Sequence, residues 1–492
     1  MEADVCLIVE GAYPYVTGGV ANWTHQLVTG LPEVSFALCV IMPDESFVRE
    51  PRYEVPKNVI VQQNIFLFDE LAAGTLKDLT PEMVEMLHGF HGQSVPSRCP
   101  MFGGIESMLR AARQTAYSLL STRASWNFVV RMYRERHRQV SFLDYYWSWR
   151  STHGPMFRLF DVAVPQARVY HPLSTGYAGC LAAIAKQRSG GSILLTEHGI
   201  YTRERAIEIA QADWIYREAE EGSAYVSDDA FFKTWWRNQY NFFGRLAYGA
   251  ADRIIALNDV NRQYQITGGA DVNKLQNVPN GIDIARFASA RAPRDWSDRP
   301  FRVGLVGRVV PIKDIKTFIR AVHLASLERP IEAYVVGPTD EDADYYYECQ
   351  ELCRMLGIQH IVNFTGKVDV VPWLAELDLN VLTSISESQP FAILEGWAAG
   401  LPSVSTDVGA CREMLEGRKG EDALLGIAGI VCAVATPQAI GEAIVALAEN
   451  PERYRDMAQA GYDRLSRFYR IDQVFDAYRA LYEELGQTRR SA

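Results

Sequence analysis

The chain has 492 residues, 48% of them hydrophobic and 22% charged. That is the mix of a folded protein with a substantial core, and at roughly 100–200 residues per domain it makes two to four domains; a disordered tail, a collagen-like rod and a small disulfide scaffold are excluded. Lys and Arg total 49 against 60 for Asp and Glu, a net −11, which argues against generic nucleic-acid binding through a positive surface.

Residues 1–6 carry no basic stretch ahead of an apolar run and enter a strand at once, so no secretory signal is expected. The most apolar stretch, 424–435, is about a dozen residues and too short to cross a bilayer. No transmembrane segment is expected, and the expected location is the cytoplasm. The eight cysteines contain no Cys-x-x-Cys. Cys349 and Cys353 share a helix face without a His pair at zinc spacing, so buried free thiols are expected rather than a metal site.

Two regions share a rhythm of short apolar strand, turn and amphipathic helix. In the first, strands are expected at 5–9, 36–41, 59–61, 168–170, 193–196 and 253–257. In the second they fall at 301–306, 332–336, 361–364, 379–382, 403–405 and 430–434. Runs of Val, Ile and Leu that alternate with helices belong to parallel sheets covered on both faces. The fold class is therefore α/β, with two doubly wound domains. The break is placed in the turn-rich stretch 279–300, giving domains at 1–285 and 286–470. Residues 66–160 read as helices inserted into the first domain. Their aromatic cluster 145–149, with 231–236 further on, is expected to pack those helices. A final helix, 471–492, is expected to cross back to the first domain.

The candidate chemistry sits at strand ends. Gly18 and Gly19 lie between the first strand and its helix, where glycine lets backbone approach a phosphate, although no G-x-G-x-x-G is present. His171 and His198 follow later strands of the first domain, and His198 is the better candidate to meet a substrate. In the second domain, Gly307 ends a strand, Arg308 follows directly, and Lys313 stands near a helix start. Two cations beside a helix amino terminus suit a diphosphate. Glu387 lies in the loop after a strand, and Glu395 is eight residues on, in the next helix. Carboxylates there can accept hydrogen bonds from sugar hydroxyls. Asp340 and Asp342 match an Asp-x-Asp metal pattern, but they precede a helix and are expected to cap it.

Together these segments resemble the GT-B glycosyltransferases of family 4, retaining nucleotide-sugar enzymes with two Rossmann-like domains facing a cleft. Glu387 and Glu395 match the family's E-x7-E motif; Gly307, Arg308 and Lys313 match its diphosphate pair, and residues 279–283 its interdomain segment. The resemblance implies that Arg308 and Lys313 hold the phosphates of UDP and that Glu395 takes the ribose hydroxyls. Glu387 would take the donor sugar, His198 would stand near it, and backbone at Lys367 and Val368 would meet the uracil. Catalytic roles then fall to Glu387, Arg308, Lys313 and His198. No metal or cofactor is implied, since the UDP-sugar is a substrate. One departure is Pro390-Phe391-Ala392, where the family usually has Phe-Gly after the first Glu.

Residues 11–20, the helical insertion and residues 196–205 further resemble the cytosolic transferases of bacterial Pel exopolysaccharide synthesis. That resemblance implies a hexosyl transfer to a growing glycan acceptor and recruitment to an inner-membrane synthase complex. Two alternatives stand beside it. One is a glucan- or sucrose-synthase relative that uses ADP- or GDP-sugar; the other is a nucleotide-sugar-binding subunit without turnover.

Overall fold

A computed structural model describes residues 2–11, 13–16, 18–68, 77–92, 95–211, 229–418, 420 and 422–488. Thr17, residues 69–76 of the expected insertion and residues 489–492 of the expected final helix lie outside the described residues. The chain divides into two compact units. The first comprises 1–256, 262–277 and the chain from Tyr478 onward; the second comprises Leu257–Asn261 and Val278–Ala477.

The first unit is built on a seven-stranded parallel sheet in the order β3-β2-β1-β4-β5-β6-β7. Its strands are β1 (Ala3–Glu10), β2 (Phe36–Met42), β3 (Val59–Phe66), β4 (Ala167–Pro172), β5 (Ser192–Glu197), β6 (Arg253–Ala256) and β7 (Leu275–Asn277). β2 is buried at every residue and β1 at all but its second and last, which is why they read as unbroken apolar runs rather than as alternation. The short β7, Leu-Gln-Asn, carries too little apolar character to be seen in the sequence; pairing with β6 makes it a strand.

Helices α1 (Gly19–Gly30), α2 (Pro81–Gly92), α3 (Val95–Ala111), α4 (Tyr117–Ser121), α5 (Arg123–Arg136), α6 (Phe142–Arg158), α7 (Tyr177–Ser189), α8 (Tyr201–Gln211) and α9 (Asp229–Ala250) belong to this unit. α2 to α6 are the inserted helices. Side chains mark two starts: Thr122 accepts from the Ser125 amide and Ser141 from the Asp144 amide. Phe128, Val129 and Met132 on α5, and Trp149, His153 and Met156 on α6, recur at helical spacing and are buried. The aromatic clusters serve that packing. Tyr145 meets Trp235 at 5.7 Å between ring centroids, and of the run at 145–149 Trp147 is the one left largely exposed, at 55%.

The second unit holds a six-stranded parallel sheet in the order β10-β9-β8-β11-β12-β13. Its strands are β8 (Phe301–Val306), β9 (Ile331–Val336), β10 (Val362–Gly366), β11 (Leu379–Leu382), β12 (Ser403–Thr406) and β13 (Gly429–Cys432). Between β6 and β7 of the first sheet runs α10 (Asp259–Gly268); after β8 come α11 (Ile315–Ser326), α12 (Ala343–Met355), α13 (Val370–Glu376), α14 (Phe391–Ala398), α15 (Cys411–Glu416), α16 (Pro437–Glu449), α17 (Pro451–Phe468) and α18 (Ile471–Thr488). α11 shows how sequence makes such a helix. Asp314 caps it by accepting from the Thr317 amide, and Ile315, Phe318, Ile319 and Val322 form the buried stripe. α18 begins in the second unit and, from Tyr478, belongs to the first, where Tyr478, Tyr482 and Leu485 are buried. Cys349 and Cys353 are buried free thiols on α12. No described helix is long and apolar enough to cross a membrane.

In both sheets the chain starts at a central strand, winds outward one way, then returns to build the other side. β8 therefore lies beside β11 although two strands separate them in sequence. Open α/β sheets bind ligands at this switch point, beyond the carboxyl ends of the strands.

Candidate functional site

The switch point of the second unit joins the loop after β8 to the loop after β11. The β8 loop is seated by Gly307, whose amide donates to the Val336 carbonyl at 3.0 Å, and by Val309, which donates to Pro338 at 2.9 Å. Gly337 makes this approach possible: a Cβ there would stand 2.1 Å from the Gly307 oxygen, at φ +155°. The β11 loop is tied to its neighbour by the Ile385 amide, which donates to Ile312 at 2.9 Å. Thr383 Oγ1 also donates to the carbonyls of Lys313 and Asp314, each at 2.9 Å.

These ties bring Lys313 and Glu387 together. Lys313 Nζ donates to Glu387 Oε1 at 2.5 Å, and Ser384 Oγ donates to the same oxygen at 2.7 Å. Both charged side chains are mostly buried, 21% and 13% exposed, so the pair is screened less than a surface one. Arg308 turns instead to Glu341, with Nη1 2.6 Å from Oε2 and both groups partly exposed. The next acid, Asp342, caps α12 by accepting from the Tyr345 amide at 2.9 Å.

The loop that carries Glu387 is held from several sides. Asn261 Nδ2 donates to Ser388 Oγ at 2.7 Å and Asn258 Nδ2 to the Ser388 carbonyl at 3.2 Å. The Asn280 amide donates to Gln389 Oε1 at 2.6 Å, and the Ala410 amide to the Ser388 carbonyl at 2.8 Å. Gly409 lies under it at φ +51°, where a Cβ would sit 2.1 Å from the Glu387 carbonyl oxygen.

Glu395 stands within α14, flanked by buried Ile393, Leu394, Gly396 and Trp397. Its carboxylate takes no hydrogen bond from any described residue. Burial lifts its pKa to about 7, opposed by the nearby Arg286 cation. Lys367 and Val368 follow β10 and are exposed, Val368 at 42%. A groove of about 850 Å³ shares Gly409, but its cations are already paired, Arg412 with Asp407 at 2.7 Å and Arg418 with Asp422 at 3.4 Å.

In the first unit, Gly18 caps α1 with extended backbone and, like Gly19, has open space where a Cβ would be. His198 is buried with its ring 4.4 Å from that of Trp23, and its Nε2 has no hydrogen-bond partner among the described residues. Burial pushes it down to about 3, so it is neutral near pH 7. His171 has a structural setting: Nδ1 meets Tyr482 Oη at 2.7 Å and Nε2 meets Thr196 Oγ1 at 2.8 Å. Glu197 is wholly buried and accepts from Thr175, Tyr248, Gln265 and the Tyr201 amide. Three residues of the second unit escaped sequence reasoning. Arg286, whose charge acts on Glu395, and Gly409, which lies under Glu387, come from distant segments, and Ser384, three residues before Glu387 in the same loop, carries no sign of its bond to that carboxylate.

Two Rossmann-like units, each on a parallel sheet with the Rossmann strand order, define the GT-B fold of the nucleotide-sugar glycosyltransferases. The chain belongs to the family described as "Domain of unknown function (DUF3492)", whose model matches residues 3–273, and residues 300–450 match "Glycosyl transferases group 1". Among curated proteins it is similar to D-inositol 3-phosphate glycosyltransferase 2 of Catenulispora acidiphila, 28% identical over 44% of this chain and 53% of that protein. It is also similar to the lipopolysaccharide core biosynthesis mannosyltransferase LpsB of Rhizobium meliloti, 28% identical over 42% of this chain and 62% of that one. The chain spans about half the length of the curated relatives it matches. Among solved structures, sucrose-phosphate synthase from Thermosynechococcus elongatus superposes with TM-score 0.61 at 15% identity, covering 98% of this chain and 99% of that one. Anabaena HepE in complex with UDP gives 0.59 at 14% identity, covering 98% and 100%.

Proposed function

We propose that the protein is a retaining glycosyltransferase that moves a hexosyl unit from a UDP-sugar to a growing exopolysaccharide, in the manner of PelF, without a metal ion. The observation that carries this reading is the mostly buried Lys313–Glu387 pair at the β8/β11 switch point, with Arg308 on the same loop as Lys313. When UDP leaves, negative charge grows on its β-phosphate. Fixed cations aimed there lower the barrier, and one such group is worth about 10²–10³ in rate. Lys313 and Arg308 are the candidates, each parked on a carboxylate until phosphate competes for it. Glu387, released by that exchange, accepts hydroxyls of the donor sugar, and Glu395 accepts those of the ribose. The acceptor hydroxyl then attacks on the face from which UDP departs. HepE was crystallised with UDP and with UDP-glucose, and UDP is the nucleotide to test first.

Incubation with UDP-hexoses and an oligosaccharide acceptor, in excess chelator, tests the reading. Acceptor-dependent UDP release is expected. Binding of UDP without any donor consumption would point to a sensing subunit, and preference for ADP or GDP would overturn the choice of donor.

A further inference from the structure

The inserted helices and α9 enclose a cavity of about 380 Å³ lined by Arg98, Arg136, His137, Tyr145, Trp235 and Asn238, among others. That volume is within the range of small-molecule sites. Arg98 is its unusual member. Its guanidinium lies 4.3 Å from the centroid of the Phe90 ring and 4.9 Å from that of Phe242. Aromatic faces attract the cation but accept none of its five N–H donors in the manner of a carboxylate. Among the described residues none hydrogen-bonds or ion-pairs with Arg98, and its Nε is buried without a partner. No carboxylate occurs among the described lining residues.

The other polar groups do not supply the missing charge. His91 Nδ1 lies 2.8 Å from the Leu87 carbonyl, and His91 Nε2 accepts from Trp149 Nε1 at 3.1 Å. His153 stacks on His91 with centroids 4.7 Å apart. Burial and the Arg98 charge hold both imidazoles neutral at physiological pH. His137 Nδ1 is a second buried atom of this cavity without a partner among the described residues, and its ring stacks on Tyr145 at 5.0 Å. A cavity thus holds a cation and an orphaned ring nitrogen, between aromatic walls, with Arg136 exposed beside it. A largely buried cation without a counter-ion among the described residues is costly, and an anion that fills the cavity removes that cost.

We infer that this cavity binds a small anion, a phosphate or carboxylate carried on a planar apolar body, with Arg98 as anchor and Tyr145, His137 and Trp235 as walls. The anionic head takes the Arg98 donors, and the planar body stacks among the rings. The site is built wholly within the first unit and does not depend on the nucleotide-sugar reading.

Calorimetric titration of the full chain with phenyl phosphate and with benzoate tests this. Binding of at least one is expected, and the tighter of the two identifies the head group. Arg98→Met should weaken it by roughly tenfold or more while keeping or raising the thermal midpoint. Asn238→Trp, which crowds the rim from an exposed position and leaves Arg98 in place, should weaken it as well. Lys313→Ala should leave it unchanged. No binding at millimolar concentration, or equal binding in wild type, Arg98→Met and Asn238→Trp, would overturn the inference.

Discussion

Lys313 Nζ and Glu387 Oε1 lie 2.5 Å apart, on loops that follow two strands adjacent in the sheet but separated by two others in sequence. In the proposed function the cation of this pair serves the donor's phosphate and the anion serves the adjoining sugar. Glu387→Gln keeps the shape and removes the charge. The expected result is a fall of about 10²-fold in kcat with UDP affinity nearly unchanged. Steady-state kinetics and UDP calorimetry check it; a parallel loss of UDP affinity would make Glu387 a structural residue.

Glu395 has a folded-state pKa of about 7 against an ordinary Glu. The folded protein therefore binds the extra proton between pH 4.5 and 7, and this group's contribution to stability declines as pH rises through that window, by about 3 kcal/mol in all. Glu395→Gln should remove this slope. Urea unfolding at pH 5 and pH 8 for both proteins reads the difference. If the ionised carboxylate takes the ribose hydroxyls, UDP affinity should also gain on Glu395→Gln as pH rises.

Gly409 supports the Glu387 loop at a left-handed φ, with no room for a Cβ against the Glu387 carbonyl. Gly409→Ala should cost about 1–3 kcal/mol from the backbone alone, and more from the clash. It should also lower transfer rate without touching either carboxylate. Denaturant unfolding and donor-sugar kinetics measure the two effects.

Burial pushes His171 down to about 3. The unfolded chain, with an ordinary imidazole, takes up the proton first. Stability from this group is thus fully present above about pH 6.5 and is lost as pH falls toward 3. His171→Ala should cost about 2–4 kcal/mol at pH 7, by leaving a cavity and withdrawing the partner of Tyr482 Oη, and should flatten the acid slope.

The sheets were legible because parallel strands buried on both faces read as apolar runs, as in β1, β2 and β8. β7 was not, since Leu275-Gln276-Asn277 has no such run. Gly307, Lys313, Glu387 and Glu395 were legible as candidates because strand-end loops and helix starts mark themselves by glycine, charge and spacing. What the sequence withheld was pairing. Arg308 resting on Glu341, Lys313 on Glu387, and the grip of Asn258, Asn261 and Asn280 on residues 388–389 all join segments distant in the chain. Arg98 gave no signal either, because what sets it apart is that no described residue offers it a carboxylate, and only the packed helices reveal that.

The most direct test of the central claim is calorimetric titration of UDP into wild type, Arg308→Ala and Lys313→Ala. If these cations cradle the diphosphate, both variants lose about tenfold or more in affinity and activity falls with it. Wild-type affinity for UDP in both variants would contradict the account.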